Sequence, residues 1–226
     1  MITSQMEPIG SMRREASRNF EPIGTIGAMP VAKGATLDPA QTRLGILRAA
    51  TRLLYQRGLD GIGVAELCAT MGVSKETLYR HFGSKEGLVG AVLEARSDRI
   101  MSWVHDAVAA AGEDPVDQLA AVFDALAQWH DEPTFRGCAI LNAATQHHDG
   151  PARDVARQHL ERQLDVLTGI ARRAGASDPV NLAKQLLALR VGATVLADHH
   201  GDADAARLAK QAALALLRSA RATPTP

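Results

Sequence analysis

The feature that most restricts this chain is its punctuation. Gly112, Gly150, Gly175 and Gly201 each stand where a helix-forming stretch stops, and Pro115, Pro151 and Pro179 open the next stretches. Glycine tolerates the left-handed conformation that ends a helix. Proline lacks only an N–H that is unpaired in the first turn anyway. Between these marks Ala and Leu dominate, and aromatics make up only 4% of the 226 residues. Such residues lose little rotamer freedom in a helix. No alternating strand pattern interrupts them, so the fold class is all-α. Helices are expected over Pro39–Gln56, Val64–Met71, Lys75–Phe82, Lys85–Ala111, Pro115–His130, Gly137–His147, Pro151–Ala174, Pro179–His199 and Ala203–Ala220. In the first, Leu44, Leu47, Ala50 and Leu54 mark one buried face, widened by Ile46 and Leu53, and Gly58 is its expected cap.

The stretch from Gly58 to Lys85 has a more specific shape. Two short helices flank Gly72-Val73-Ser74, which is the helix-turn-helix pattern. Gly72 supplies the positive φ that lets the second helix cross the first, and Ser74 caps the second. Leu67, Val73, Leu78 and Phe82 form a small core with the first helix. Lys75, Glu76, Thr77, Tyr79, Arg80 and His81 are left on the outer faces. Cations and hydroxyls suit phosphates, and short polar groups near a helix start suit base edges. Ser84 caps the long helix that follows, and Lys85 adds charge to a helix N-terminus that already favours anions. A helical hairpin inside some other all-α scaffold is the competing reading.

Gly72-Val73-Ser74-Lys75-Glu76-Thr77-Leu78-Tyr79-Arg80-His81-Phe82, followed by Ser84-Lys85-Glu86-Gly87-Leu88, resembles the TetR family of bacterial repressors. Ala49-Ala50, Leu53-Leu54 and Gly58 fit the same pattern, and the resemblance covers about Gln41 to Leu93. It implies a helix-turn-helix three-helix head on a larger helical ligand-binding and dimerisation body. It further implies a homodimer that binds a palindromic operator in double-stranded DNA, responds to a small-molecule effector and represses transcription. Lys75, Thr77, Tyr79, His81 and Lys85 match positions that contact DNA in the family. Where the family usually has Thr or Ser, this chain has Gly63. Its N–H still meets a phosphate, but it offers no hydroxyl. The expected DNA-binding set is therefore Gly63, Lys75, Glu76, Thr77, Tyr79, Arg80, His81 and Lys85. The expected division is a flexible tail over 1–38, the DNA-binding head over 39–84, the body over 85–220 and a short tail over 221–226.

In the body, the resemblance implies a pocket among the middle helices. Trp103, Phe123, Leu126, Trp129, Cys138, Leu141 and Asn142 are the expected lining, though each also reads as ordinary core by spacing. Few charged residues fall on inward faces, which points to an apolar or weakly polar ligand. Cys138 sits near a helix start, where a dipole favours a thiolate, yet free cysteines are usually small buried hydrophobes. Cys68 faces the core of the head. His147-His148 and His199-His200 each end a helix, where imidazole complements the C-terminal dipole, and no regular ligand spacing implies a metal. Val180, Ala183, Leu187, Val191 and Thr194, with Leu208, Ala212 and Leu216, form the expected dimer surface, and Gly192 and Ala193 leave room for partner helices. The alternative is that these faces pack inward.

Charge and the remaining patterns narrow the function classes. From Pro39 to Arg96 there are eight basic and five acidic residues, a balance of +3. From Ser97 onward there are 13 basic and 16 acidic residues, a balance of −3. A basic front suits an end that meets phosphates. No apolar run stands out as a bilayer span, no signal peptide opens the chain, and a cytoplasmic protein without membrane contact is expected. GxSxG, GxxxxGK[ST], HExxH and GxGxxG are all missing, so neither catalytic residues nor a cofactor are expected.

Overall fold

The structure is a computed structural model and describes residues 38–57, 63–146 and 149–220. Gly58, the His147-His148 pair and both expected tails, Asp38 apart, fall outside them. The described helices are α1 (Pro39–Arg57), α2 (Val64–Met71), α3 (Lys75–Phe82), α4 (Lys85–Ala110), α5 (Pro115–His130), α6 (Ala139–Gln146), α7 (Pro151–Arg173), α8 (Pro179–Val195) and α9 (Ala205–Ser219). No strand occurs among the described residues. Side-chain caps set most of the starts. Asp38 Oδ1 accepts from Ala40 N at 3.1 Å, Ser74 Oγ from Thr77 N at 3.0 Å and Ser84 Oγ from Gly87 N at 3.0 Å. Asp114 and Asp178 do the same for α5 and α8, ahead of Pro115 and Pro179. Each such cap contributes about 1 kcal/mol.

Three helix limits differ from expectation for local reasons. Gly137 has φ 67°, so α6 starts only at Ala139, with Asn142 N donating to Cys138 O at 2.8 Å. Asp202 closes its own turn, Oδ1 accepting from Asp204 N at 2.9 Å, which delays α9 to Ala205. The expected helix Pro179–His199 is α-helical only to Val195 and then widens to a π turn over Leu196–His200. That turn sets Asp198 against Gly137, where a Cβ would overlap the carboxylate.

Two apolar cores are strung along α4. In the first, Ile46, Ala50 and Leu54 of α1 meet Leu67 and Cys68 of α2, Leu78 of α3, and Leu88, Val89, Val92 and Leu93 of α4. Cys138, Ile140 and Ala143, with Ala152, Val155 and Ala156 of α7, complete it. The buried line of α1 therefore runs through Ile46 rather than Leu44, which is exposed. In the second core, Val104 of α4 joins Leu119, Val122, Phe123 and Leu126 of α5 and the inner faces of α7, α8 and α9. Pro179–His200 is, against expectation, long and apolar enough by composition to span a bilayer, at a mean hydropathy of 1.2. The helix instead packs against α7, α5 and α9 and carries the buried cation Arg190, so its apolar face belongs to a core.

Glycines let the backbones of neighbouring elements touch. A Cβ on Gly87 would overlap the carbonyl oxygen of Phe82, so the first turn of α4 rests directly on the end of α3. A Cβ on Gly90 would lie 2.9 Å from the Pro151 Cβ, a looser approach made to a side chain. Between the cores, a chain of polar side chains joins α4, α7 and α8. Arg190 Nη1 donates to Gln163 Oε1 at 2.6 Å, and Gln163 Nε2 lies 2.6 Å from His159 Nε2. His159 Nδ1 lies 2.9 Å from Ser97 Oγ, and Arg162 bridges Ser97 and Asp98 at 3.2 and 2.7 Å. A guanidinium only donates, so Gln163 must present its oxygen to Arg190 and its NH2 to His159. His159 Nε2 is then an acceptor and Nδ1 carries the proton. Burial, helped by the nearby Arg190, Arg162 and Arg96, lowers the His159 pKa to about 4 and keeps the ring neutral.

Two outcomes follow from this packing. Gly87→Ala forces α3 and α4 apart against backbone and is expected to cost about 1–3 kcal/mol in urea unfolding. An unchanged unfolding midpoint would show that the contact is slack. His159 titrates near 6.5 when unfolded and near 4 when folded. As pH falls below 6.5, the unfolded chain takes up the proton first. Stability should fall by about 1.4 kcal/mol per pH unit, and by roughly 3 kcal/mol once pH 4 is reached. Denaturant titrations across that range should show the slope in the wild type and its reduction in His159→Gln.

Candidate DNA-binding face and body cavity

The turn between α2 and α3 has the geometry its residues call for. Gly72 has φ 68°, and its N–H and that of Val73 close back on Ala69 O and Cys68 O. Leu67 and Leu78 are fully buried across the turn, each worth roughly 2 kcal/mol of apolar burial. Half-buried Val73 and Phe82 pack against them. Arg43 of α1 lies over the Phe82 ring, 5.1 Å from its centroid, and pins α1 to the end of α3.

This packing leaves one side of α3 open. Lys75, Glu76, Tyr79 and Arg80 are exposed, while Thr77 and His81 are half-buried. Tyr79 is 44% exposed, unusual for an aromatic in a protein with so few. The Thr77 and Ser74 hydroxyls lie 2.9 Å apart, so the Thr77 side chain is held by the cap. Arg80 Nη2 pairs with Glu76 Oε1 at 3.1 Å, with both side chains mostly in solvent. Such a pair contributes little stability, so Arg80 is readily exchanged to a stronger anion. Lys85, half-buried, opens α4 beside the end of α3. Gly63 caps α2 through backbone alone, at φ −73° and ψ 156°. Nothing lies within 4 Å of a Cβ there, so there is room for the hydroxyl residue this chain lacks.

The body holds a cavity between the two cores, with about 700 Å³ of empty space that is partly continuous with solvent. Of the expected lining, Trp103, Leu126, Trp129, Cys138 and Leu141 border it, together with Ile100 and Val191. Phe123 and Asn142 do not. Phe123 lies about 120° round α5 from Trp129 and is buried in the second core. Asn142, one residue past Leu141, is exposed, and its Nδ2 donates to Arg136 O at 3.3 Å. Trp129 meets Phe135 edge-on at 5.0 Å, and His130 stacks beside them, which sets the course of the segment leading to Cys138. Burial lowers the pKa of His130, with Arg190 adding to that effect and Asp131 opposing it.

Several lining residues escaped sequence reasoning. Arg96, Arg99, His159, Gln163, Arg190 and Thr194 all border the cavity. The expectation of few inward charges is therefore wrong, since Arg96 and Arg190 are both buried. The signal was present: His159 and Gln163 continue the buried row Ala152, Val155 and Ala156, and Arg190 continues Leu182 and Leu186. A polar residue on an apolar row is the mark of an internal site. Three residues of the expected dimer surface turn inward. Ala183 and Thr194 are buried, and Val191 faces the cavity. Val180, Leu208, Ala212 and Gly192 of the expected set are exposed, and so are Ala188, Val195 and Leu196 on α8 and its π turn.

Comparison with known proteins identifies this arrangement. Residues 46–92 match the family described as "Bacterial regulatory proteins, tetR family". Residues 115–213 match "Tetracyclin repressor-like, C-terminal domain". The HTH-type transcriptional activator FasR of Mycolicibacterium smegmatis is 34% identical over 90 residues, 40% of this chain and 41% of that protein. The HTH-type transcriptional regulator TtgR of Pseudomonas putida is 34% identical over 85 residues, 38% of this chain and 39% of its own length. The chain thus spans about two fifths of the length of these curated relatives. Solved structures extend the likeness to the body. A putative TetR transcriptional regulator from Streptomyces avermitilis superposes with a TM-score of 0.70 at 34% identity, over 81% of this chain and 98% of that one. A TetR-family regulator from Streptomyces coelicolor gives a TM-score of 0.72 at 27% identity, over 83% and 98%. With the helix-turn-helix head matched in sequence and the helical body matched in both sequence and shape, the chain belongs to the TetR family of transcriptional regulators.

Proposed function

We propose that the protein is a ligand-responsive repressor that binds a palindromic operator as a homodimer. The observation that carries this reading is the open face of α3, where Lys75, Tyr79 and Arg80 are exposed beside half-buried Thr77, next to the start of α4, whose later turns wall the cavity. On this reading α3 enters the major groove, Thr77 and Tyr79 meet base edges or sugar, and Lys75, Arg80, His81 and Lys85 meet phosphate. The Gly63 N–H supplies a further phosphate contact, and Glu76 orients Arg80. A dimer seated over a promoter excludes polymerase by volume alone, whereas activation needs a further surface for polymerase; repression is thus the simpler role.

Coupling to a ligand runs through α4. Its first turn rests on α3, and Trp103, eighteen residues along, borders the cavity. A helix with intact backbone bonds moves nearly as a rod, so a ligand that shifts Trp103 also tilts the head. Two heads must stay about one turn of DNA apart, and a ligand acts by its differential affinity for the two head spacings.

Duplexes selected by the protein from a random pool provide the test. Lys85→Ala is expected to weaken binding to every selected duplex and to lower the slope of log affinity against log salt by about one. An unchanged slope would remove Lys85 from the DNA backbone, and a protein that selects no duplex would refute the whole reading.

The dimer is proposed to form through the outer side of α8, its π turn and α9. Val195, Leu196 and Leu208 are three of the six large hydrophobics left exposed among the described residues. Gly192 has nothing within 4 Å of a Cβ, which leaves space for a partner helix. In a two-fold interface each substitution is presented twice, once by each protomer. The double variant Ala188→Arg, Leu208→Glu should sediment as a monomer with its helical circular dichroism intact, because both positions face solvent in one protomer. A variant that stays dimeric would place the interface elsewhere.

A further inference from the structure

The strongest unexplained feature of the body is Arg190. Its side chain borders the cavity and is 94% buried by the 6% exposure of the residue. Its Nε is buried and has no hydrogen-bond partner. Nη1 is bound to Gln163, a neutral amide whose other end is taken by a neutral His159. Among the described residues no carboxylate forms an ion pair with Arg190. Burial brings the guanidinium down only to about 10, with Cys138 opposing that effect, so it stays charged at neutral pH. A buried charge left without a counter-charge is costly, and the fold retains it at the wall of a cavity rather than in a packed core.

The other buried cation of the wall differs. Arg96 has Glu132 as an acidic neighbour, which responds to it. Exposed Arg99 and the Thr194 hydroxyl also border the cavity, and its apolar wall is formed by Ile100, Trp103, Leu126, Trp129, Leu141 and Val191. The cavity thus sets a desolvated cation in the same wall as a hydrocarbon and indole surface.

From this juxtaposition we propose that the cavity binds an apolar organic acid, with the carboxylate against Arg190 and the hydrocarbon or aromatic body between Trp103 and Trp129. The proposal rests on the reading that the body binds a small molecule, and it names the class. A carboxylate offers the Arg190 guanidinium the counter-charge that Gln163 does not. The neutral His159 and Gln163 behind it hold the guanidinium in place without competing for its charge. An amine of the same shape would meet like charge, and a neutral amide would leave the guanidinium uncompensated.

Both tryptophans of the chain border the cavity, so intrinsic fluorescence reports occupancy directly. The probes are three molecules of one shape: 4-phenylbutanoate, 4-phenylbutanamide and 4-phenylbutylamine, titrated into the full-length protein without DNA. The wild type should bind the acid at least about tenfold more tightly than the amide, as a charge-assisted pairing implies, and the amine most weakly. Arg190→Met should lose the preference for acid over amide, and Arg190→Lys should keep much of it. Equal affinity for acid and amide in the wild type, a preference that survives Arg190→Met, or no fluorescence change with any of the three would overturn the proposal. Should Arg190→Met fail to fold, the wild-type comparison of acid with amide decides alone. Operator affinity measured with and without the acid separates the two readings. Acid binding that leaves DNA affinity unchanged refutes ligand response and leaves the acid site standing, whereas a protein released from DNA by the amide as readily as by the acid loses the acid site alone.

Discussion

The structure depends on the close packing of α4 against the end of α3. The helix Lys85–Ala110 spans 26 residues, about 39 Å, and with α7 it enters both apolar cores. Its first turn leaves no room for a side chain at Gly87, because the Phe82 carbonyl occupies that space. Backbone-to-backbone contact of this kind does not slide, since neither partner has a rotamer to change. The head is therefore held on the rod by steric fit, and Ser84, capping that same turn, keeps the first backbone donors satisfied. Farther along, Gly90 lets α4 come up against the Pro151 side chain at the start of α7.

Where α4 leaves the first core and enters the second, the packing opens and polar groups replace apolar ones. The row Arg190, Gln163, His159, Ser97 and Arg162 ties α8, α7 and α4 together through a series of hydrogen bonds. In a low-dielectric interior such a row imposes one arrangement, because each donor needs its acceptor and the guanidinium at one end dictates every orientation after it. That order is obtained against stability. Arg190 is buried without a counter-charge, and a well-packed apolar residue would serve the core better. The three helices tied by this row all line the cavity, so its least favourable residue stands in the cavity wall.

Much of the architecture was legible from local chemistry. Prolines at helix starts, glycines at positive φ and the serines and aspartates that cap α3, α4, α5 and α8 all act within a few residues, so their effect is written in short stretches of chain. The open face of α3 was legible for the same reason: an eight-residue helix with Leu78 buried leaves the remaining side chains few places to go. The body was harder. Val191 and Thr194 read as a partner-facing stripe but lie on the cavity, and Phe123 read as cavity but lies in the core. Helical spacing says which residues share a face, not what that face meets.

The sequence by itself determined an all-helical chain, the sites of its breaks and the exposed chemistry of the helix-turn-helix, because capping, backbone freedom and three-four spacing are local. Tertiary structure alone decided which apolar faces became core, which became cavity wall and which stayed open to solvent. It also decided that His159, Gln163 and Arg190, on two helices and 27 residues apart at the closest hydrogen bond between them, meet in one row. Those outcomes depend on the rotation of each helix about its axis, and that rotation is set by neighbours distant in the chain.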